Sequence, residues 1–457
     1  MNLWYMLRKF LKACNVPKMF TSFKNMKIAL TIFCLLICKV ICAQNLSTSF
    51  VTTDIDNFWT AYDRIVATKD SSQKYEYLDR YFISKGTPGL KAMMQVRAYT
   101  NKSYIDAIEQ YPLFWKSIRS SMFKAKAFSN EIAANVKKLK SIYPELRPAK
   151  IYFTVGAFRS GGTTMDSLIL IGSEIAMADE HTVTQEFASS FPGLIPYFKT
   201  NPIQTLVFTN VHEYVHTQQK TTIANNLLGQ CLMEGVAEFL AEKATGKAST
   251  LPALKYGRLN AQRIKEVFAT EMFNGSEGFW LYSNMTNEFG TRDLGYYVGY
   301  AMCESYYQKA KNKAQAIKEM IELDYNNPID LNNFVNQTGY FEKPMVELVN
   351  AYEDSRPTVT KITPLENGQA LDPSVGDITI HFSTAMNKRN RNFELGPLGK
   401  DNLLIIKQPI TFAEDGKSIS FKVELKSNQH YQILVGPGFR NLKGAALKPF
   451  LIDFTTR

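Results

Sequence analysis

Cysteine is scarce in this sequence. The chain has six cysteines in 457 residues, and four of them lie within the first 43 positions. The remaining two, Cys231 and Cys303, exclude a disulfide-rich scaffold, and a chain of this length can bury a sizeable core without one. In an oxidising compartment these two residues can form one disulfide; otherwise they are two buried thiols.

Acidic residues are absent from residues 1–43, which contain seven Lys or Arg. An apolar run begins at Ile28 and ends at Ala43. A basic flank, a short apolar run and a final small residue predict a secretory signal peptide that is cleaved after Ala43. A lipid anchor at Cys42 and an uncleaved membrane anchor are the alternatives, although Lys39 interrupts a run that is already short for a bilayer span.

A strong net charge is also absent once this leader is set aside. The formal charge is +11, and removal of the seven positive charges of residues 1–43 leaves +4. This modest balance gives no indication of a nucleic-acid partner or of an acidic substrate. We therefore expect a secreted, periplasmic or cell-surface protein that has no stable membrane span after signal cleavage.

Histidine is rare too, yet two of the five histidines belong to one motif, His212-Glu213-Tyr-Val-His216. Positions four apart lie on the same face of a helix, so both imidazoles can point at one metal ion. Val211 and Val215 continue an apolar stripe at helical spacing, which indicates a buried helix. The motif predicts a zinc site in which Glu213 acts as general base on a water molecule.

Two imidazoles leave a catalytic zinc ion short of one protein ligand, with a fourth position for water. A second helical pattern contains Glu234 and Glu238, which are four apart and share a face. We predict that Glu234 is the third ligand of one zinc ion per chain. Glu238 is then expected to accept a hydrogen bond from the outer nitrogen of a ligand histidine.

These residues resemble a known class of enzymes. His212, Glu213 and His216, followed by Glu234, resemble the gluzincin class of zinc peptidases, and Glu-Gly-x-Ala resembles its aminopeptidase N-like branch. A wider resemblance, over roughly residues 50–350, is to a family of predicted bacterial Zn-dependent proteases. Besides the motif, it rests on the segments Arg159–Thr164, Ile171–Glu174, Leu228–Gln230 and Leu294–Tyr300. The resemblance implies a zinc peptidase with a peptide or protein substrate.

The segment Leu294–Tyr300 contains two glycines four apart, Gly295 and Gly299, which predict a helix with one flat, closely packed face. Tyr296, three residues before Gly299, resembles the tyrosine that stabilises the oxyanion in aminopeptidase N-like enzymes. We predict this role for Tyr296, with Tyr300 as the second choice. Ordinary aromatic packing is the alternative.

Two β-type runs, Ile151–Val155 and Leu168–Ile171, precede the metal motif and are joined by a glycine-containing loop. They predict a β-hairpin, and the resemblance implies that its edge holds an extended peptide. Glu174 follows the second run. It is interpreted either as a contact for a substrate amine or as a solvated charge at a strand end, and the Gly-Ala-Met-Glu-Asn signature of aminopeptidases is absent.

The pattern of apolar, charged and turn residues changes twice along the chain. Residues 44–149 are helix-patterned and form the first part of the catalytic unit, and residues 150–353 form its zinc peptidase core. From 357 to 457, short β-type runs separated by turn residues predict a β-sandwich. This last region resembles bacterial Ig-like domains, which act as spacers or adhesion elements, so association with a cell surface is one expectation. His381 is then a strand residue.

The predicted fold class is multidomain α+β: a mostly helical gluzincin-like metallopeptidase domain with a small β-sheet, followed by an all-β Ig-like sandwich. The predicted function is a secreted zinc-dependent metallopeptidase that hydrolyses peptide bonds through a zinc-activated water. One alternative is a non-catalytic cell-surface binding or assembly protein with a structural metal site. Another is a metal-dependent hydrolase that acts on a non-peptide amide or ester.

Overall fold

The computed structural model describes residues 50–274, 278–282, 287–365 and 370–457. Together these residues form a mixed α+β protein, helical with one small sheet up to Ser355 and rich in β-strands from Val359 onward. The predicted signal peptide lies outside the described residues. None of the helices in these described residues is long and apolar enough to span a bilayer.

Six α-helices lie between the first and second strands of the first sheet, and their aromatic core includes Phe58, Trp59 and Trp115. Their starts follow capping chemistry; the side chain of Thr87, for example, accepts a hydrogen bond from the backbone of Leu90. The helices are α1 (Thr53–Ala67), α2 (Ser71–Leu78), α3 (Pro88–Val96), α4 (Asn101–Gln110), α5 (Pro112–Met122) and α6 (Ser129–Ile142).

A four-stranded sheet, in the order β1-β2-β4-β3, lies beside the motif helix. Its strands are β1 (Phe50–Val51), β2 (Lys150–Thr154), β3 (Gly162–Met165) and β4 (Leu168–Gly172). The sequence predicted that the runs forming β2 and β4 make a hairpin. That prediction is wrong, because these two strands pair in parallel. Both are apolar and almost fully buried, as interior parallel strands usually are. The hairpin partner of β4 is β3, which forms the sheet edge.

Two short helices, α7 (Ser173–Ala176) and α8 (Leu194–Phe198), lead to the motif helix α9 (Leu206–His216). The next helix, α10 (Leu227–Thr245), is buried along nearly its whole length. Its first turn is capped by the side chain of Asn226, and it ends at Gly246, whose φ is 69°. A helix buried on all sides is the centre of the fold rather than its surface.

The helix α13 (Leu294–Lys309) crosses α10 at backbone contact. A Cβ atom built on Gly299 would lie 1.9 Å from the carbonyl oxygen of Cys231, and one on Gly235 would lie 2.0 Å from the carbonyl carbon of Gly299. The glycine spacing predicted this close approach. Cys231 and Cys303 are buried thiols that are not joined in a disulfide, so of the two predicted alternatives the disulfide is wrong.

The remaining helices surround this pair and complete the helical region. They are α11 (Pro252–Leu259), α12 (Ala261–Glu271), α14 (Lys313–Glu322), α15 (Pro328–Thr338) and α16 (Met345–Ser355). Several begin with proline in the first turn or with an asparagine cap, which supplies the local start signal for each.

The C-terminal region contains two sheets around one hydrophobic core. The first has the order β5-β6-β9-β8 and the second β11-β10-β7, with all named pairs antiparallel. The strands are β5 (Val359–Thr363), β6 (Asp377–Phe382), β7 (Phe393–Glu394), β8 (Lys407–Phe412), β9 (Ser418–Lys422), β10 (His430–Val435) and β11 (Phe450–Thr455). His381 lies in β6, as predicted. The arrangement is compatible with a sandwich, and the immunoglobulin-like assignment stays a prediction.

The C-terminal region is joined to the helical region by specific hydrogen bonds. The Nδ2 atom of Asn274 donates to the carbonyl oxygen of Lys443 at 3.2 Å. The guanidinium of Arg356 donates to the carbonyl oxygens of Ala446 and Leu447, each at 2.9 Å. The β-rich region therefore packs directly against the segment that follows α12 and against the end of α16.

Candidate metal centre

Helix α9 places His212 and His216 one turn apart on the same face. Val211 and Val215, each one residue before a histidine, are fully buried and help to fix the rotation of the helix. Each histidine residue is only 7 % exposed. The two rings therefore point into a largely dry space between α9 and α10.

Glu234 of α10 brings a carboxylate to the same point. The Nε2 atoms of His212 and His216 are 3.0 Å apart, and each lies 3.3 Å from the Oε2 atom of Glu234. In the described part of the chain, this is the one group of three or more His, Cys, Asp or Glu side chains close enough together to hold a metal ion. The structure thus brings together the three residues that the sequence predicted as ligands.

The outer nitrogens of both rings have acceptors that fix their protonation. The Nδ1 atom of His212 is 2.9 Å from Oε2 of Glu238, and Nδ1 of His216 is 2.8 Å from Oε1 of Gln219. The amide of Gln219 is itself oriented, because its Nε2 donates to the carbonyl oxygen of Met233 at 2.9 Å. Both Nδ1 atoms therefore carry the proton, which leaves a lone pair on each Nε2.

Two nitrogen lone pairs and a carboxylate oxygen consequently converge on one point. Because all three are electron-rich, they repel one another unless a cation binds between them. Burial lowers the pKa of His212, but Glu234 and Glu238 outweigh burial and hold that pKa well above its usual value. Burial acts to raise the pKa of Glu234, but the two histidines hold it well below its usual value. The pocket therefore favours positive charge.

Zinc is a cation that fits this donor set. Tetrahedral zinc sites have ligand atoms about 2.0–2.2 Å from the metal, which corresponds to roughly 3.3–3.6 Å between ligand atoms. In this chain the two separations between a histidine and Glu234, each 3.3 Å, match the lower end of that spacing, and the 3.0 Å between the two histidines is slightly shorter. Two imidazoles with one carboxylate are also a donor set that zinc takes in hydrolytic enzymes.

A second layer of hydrogen bonds holds the carboxylates. The other oxygen of Glu234, Oε1, accepts a hydrogen bond of 2.5 Å from the phenol of Tyr282, which in turn accepts one of 3.0 Å from Nε2 of Gln230. The Oε1 atom of Glu238 accepts a hydrogen bond from the hydroxyl of Ser249. Glu238 thus occupies the position predicted for it, beside a candidate ligand histidine.

Glu213 lies beside the three donor atoms, with 9 % of its surface exposed. Its carboxylate accepts no hydrogen bond from the described residues, and it faces Gly162 of β3, where a Cβ atom would come within 2.7 Å of Oε1. Burial raises the pKa of Glu213, against the opposing charges of His216 and His212. A buried carboxylate with a raised pKa and no protein partner is suited to take a proton from water.

The two tyrosines proposed from the sequence have different surroundings. The ring of Tyr296 lies 6.2 Å from the ring of His212 and 6.4 Å from that of Tyr282, so its helix brings it to the centre. Tyr300 is one turn further along the same helix, and its phenol donates to Glu242 at 2.8 Å. The structure does not bring Tyr300 to the candidate site, because that extra turn carries it past Glu234.

Glu174 is fully buried, so its interpretation as a solvated charge is wrong. Its carboxylate accepts hydrogen bonds from the backbone of Gly156 at 2.8 Å and of Phe158 at 3.3 Å. Because burial raises its pKa to about 7, this residue stabilises the loop before β3 at an electrostatic cost. With no exposed surface, Glu174 has no route to a substrate amine in this structure.

Sequence reasoning missed Gln219 and Tyr282. Gln219 lies three residues after His216, and that spacing is a signal that could have found it, since side chains three apart on a helical turn are neighbours. Tyr282 is 48 residues from Glu234 and lies in a loop where its φ is 57°. No local pattern connects it with the site.

Comparisons with known proteins give similarities to solved structures and a family match over less than half of the chain. Two solved structures are similar over part of their length: the S-layer protein rSbsC(31-844), with 14 % identity over 62 % of this chain and 39 % of that one, and surface layer protein SbsC, domains 1-6, with 12 % identity over 81 % and 46 %. Each has a TM-score of 0.18, and the chain spans less than half the length of either. No curated protein matches. Residues 150–329, which contain all three candidate ligands, match the family described as "Predicted Zn-dependent protease (DUF2268)".

Proposed function

We propose that this protein is a secreted zinc metallopeptidase, with one zinc ion held by His212, His216 and Glu234. The observation that carries the proposal is the convergence of three lone-pair atoms within 3.3 Å of one another, on rings whose protons are directed outward. The matched family supports zinc-dependent proteolysis in coarse terms. Secretion rests on the leader-like residues 1–43.

Zinc held at this centre would supply Lewis acidity toward a substrate carbonyl and a water molecule. Glu213 takes a proton from the attacking water and passes it to the leaving amine. The phenol of Tyr296 donates a hydrogen bond to the oxygen on which negative charge develops. Glu238 and Gln219 keep the two imidazoles in the tautomer and orientation that the reaction needs.

The free edge of the first sheet is an argument for a peptide as the substrate. Strand β3 pairs with β4 on one side only, and its other edge has no strand partner among the residues that the structure describes. Gly162, at the start of this edge, lies against the carboxylate of Glu213. An extended peptide hydrogen-bonded along β3 would therefore pass beside the general base.

The first test is metal content. We expect about one zinc ion per chain by elemental mass spectrometry, and loss of that zinc in His212→Ala, because the variant removes one of three ligands. The matched control is His181→Ala, since the His181 side chain is 82 % exposed. Absence of zinc from the wild-type protein after reconstitution would contradict the proposed centre.

The second test is turnover of a peptide library by Glu213→Gln. Loss of the general base should lower kcat by roughly 10²–10⁴-fold while zinc remains bound. Glu180→Gln, whose side chain is 73 % exposed, is the control. If zinc is bound but no peptide is cleaved by either protein, the site is structural, and a surface binding or assembly function replaces the proposal. Cleavage of esters or non-peptide amides alone would select the third alternative.

A further inference from the structure

Arg97 follows the last residue of α3, next to the loop that leads into β3. Its backbone is firmly held: the guanidinium of Arg159 donates to the carbonyl oxygens of Arg97 at 2.7 Å and of Ala98 at 2.8 Å. Ala98 has a φ of 50°, and the backbone N–H of Arg159 donates to the phenol of Tyr99 at 2.9 Å. An alanine adopts a left-handed backbone conformation only where neighbouring contacts stabilise it. These contacts therefore fix the position of the Arg97 backbone.

The side chain of Arg97 has no protein partner. Its Nε atom is buried without a hydrogen bond, and the described residues give its guanidinium neither a hydrogen bond nor an ion pair. Burial of part of a guanidinium is unfavourable unless an anion or an acceptor compensates. Arg119 of the helical region, by contrast, forms two hydrogen bonds with Asp63.

Arg97 lies beside the strand that faces the general base of the proposed reaction. Helix α3 packs against β3, and Arg159, whose guanidinium holds the carbonyl oxygen of Arg97, precedes Gly162 of β3 by three residues. A Cβ atom on Gly162 would come within 2.7 Å of Oε1 of Glu213. Arg97 and Glu213 nevertheless form no ion pair. The unpartnered guanidinium therefore extends from a backbone held against the loop that leads into β3, the strand that faces Glu213. The carboxylate of Glu213 is one that the reaction needs unpaired.

We propose that Arg97 binds a carboxylate of the substrate, within about one residue of the bond that is cleaved. A guanidinium presents a planar fork of N–H donors that matches a carboxylate in a bidentate arrangement. The carboxylate is either the C-terminus of the substrate, which would make the enzyme a carboxypeptidase, or an Asp or Glu side chain beside the scissile bond. This inference rests on the proposed peptidase function and deepens it by naming the substrate class.

The cleavage experiment compares matched peptides. One pair differs only in a C-terminal carboxylate or carboxamide, and the other pair only in Glu or Gln next to the cleaved bond. For the wild-type protein we expect kcat/KM to be about 10- to 100-fold higher for the acidic member of one pair, the usual value of a hydrogen-bonded charge. The pair that shows the preference identifies the source of the carboxylate.

The variants are Arg97→Gln, Arg97→Lys and the control Arg80→Gln, whose side chain is 66 % exposed. Arg97→Gln should abolish the preference. Arg97→Lys should retain part of it, because lysine keeps the charge but not the fork. Arg80→Gln should behave as the wild type. A thermal melt of each variant separates loss of recognition from loss of fold, and Arg97→Lys decides the outcome if Arg97→Gln does not fold.

A binding experiment separates this inference from the proposed function. In the Glu213→Gln protein, which should not turn over, fluorescence anisotropy gives the Kd of each labelled peptide with and without Arg97→Gln. Tighter binding of one acidic peptide, lost in the double variant, supports the role of Arg97 even if the wild-type protein cleaves nothing. Cleavage or binding with no preference for a carboxylate, or a preference that survives Arg97→Gln, overturns the inference and leaves the peptidase proposal intact.

Discussion

Replacement of Gly299 by Ala should separate the two central helices and disable the metal centre. The Cβ atom of that alanine would lie 1.9 Å from the carbonyl oxygen of Cys231, which is 1.5 Å short of ordinary contact at 3.4 Å. The obstructing atoms belong to the backbone, so no change of rotamer can relieve the overlap. Helix α13 must therefore move away from α10 by about 1.5 Å, or the turn that contains Gly299 must distort.

The expected loss of stability follows from two opposing effects. Overpacking of a well-packed core typically costs about 1–3 kcal/mol, and a gap of this size also forfeits a large part of the dispersion contacts along the helix pair. In the opposite direction, alanine in place of glycine stabilises a helix by about 1 kcal/mol. We therefore expect the free energy of unfolding to fall by up to about 2 kcal/mol from overpacking net of this gain, and further through the lost dispersion contacts.

The same displacement should weaken zinc binding. Glu234 precedes Gly235, which contacts Gly299 directly, and a ligand oxygen tolerates only a few tenths of an ångström around its distance of about 2.0–2.2 Å. Displacement of Glu234 from His212 should lower zinc affinity by about 100-fold or more. Stability is measured by urea denaturation with zinc chelated, because bound metal itself stabilises the native state. Affinity is measured by competition with a chelator.

Gly246→Ala is the matched control for Gly299→Ala. Gly246 ends α10, the helix that α13 crosses, at a φ of 69°, and a Cβ atom there would meet nothing within 4 Å. Its replacement should cost about 1 kcal/mol of backbone strain and leave zinc affinity unchanged. If Gly299→Ala has the stability and zinc affinity of the wild type, then the two helices are not in backbone contact and this reasoning is wrong.

Three other predictions concern residues around the site. Gln219→Leu removes the acceptor that orients His216 and should lower zinc affinity about 10- to 100-fold in the same chelator competition. Tyr282→Phe removes the donor to Glu234 and should lower it about 10-fold with no change in fold by circular dichroism. Burial raises the pKa of Glu174 to about 7 from 4.5, so the folded state retains a proton that the unfolded state has lost, and stability falls as pH rises through this window. Relative to Glu174→Gln, the wild type should lose about 3 kcal/mol of unfolding free energy between pH 4.5 and 7.5 in urea titrations, and equal pH profiles would refute this assignment.

The parts of the site that sequence could predict are those set by one helix. His212 and His216 need only the helical repeat to share a face, and Glu234 and Glu238 need the same rule on a second helix. The prediction that these two helices face each other required the resemblance to zinc peptidases, because no local sequence pattern indicates which helices pack together. Tyr282 shows the limit, since its contact with Glu234 spans 48 residues and depends on how a loop returns to α10.

The strand prediction failed for a related reason. Two apolar runs separated by a glycine-containing loop suit either a hairpin or a parallel pair, and the choice depends on what covers both faces of the sheet. In this chain helices and loops bury β2 and β4 almost completely, so they pair in parallel and β3 takes the edge. The burial of Glu174 was unpredictable for the same reason, because a carboxylate at a strand end is usually solvated.

The position of Asn274 has a consequence for the minimal unit that can fold. Its carbonyl oxygen accepts a hydrogen bond from the backbone of Leu227 at 3.0 Å, satisfying an N–H group that the first turn of α10 leaves without an intrahelical partner. Its side chain donates to Lys443 of the C-terminal region. One residue thus connects the start of the helix that carries Glu234 with the β-rich region. An expressed fragment limited to residues 150–329, the segment that matches the family, would lack this connection as well as Arg97. We therefore expect the unit that folds and functions to be considerably longer than that segment.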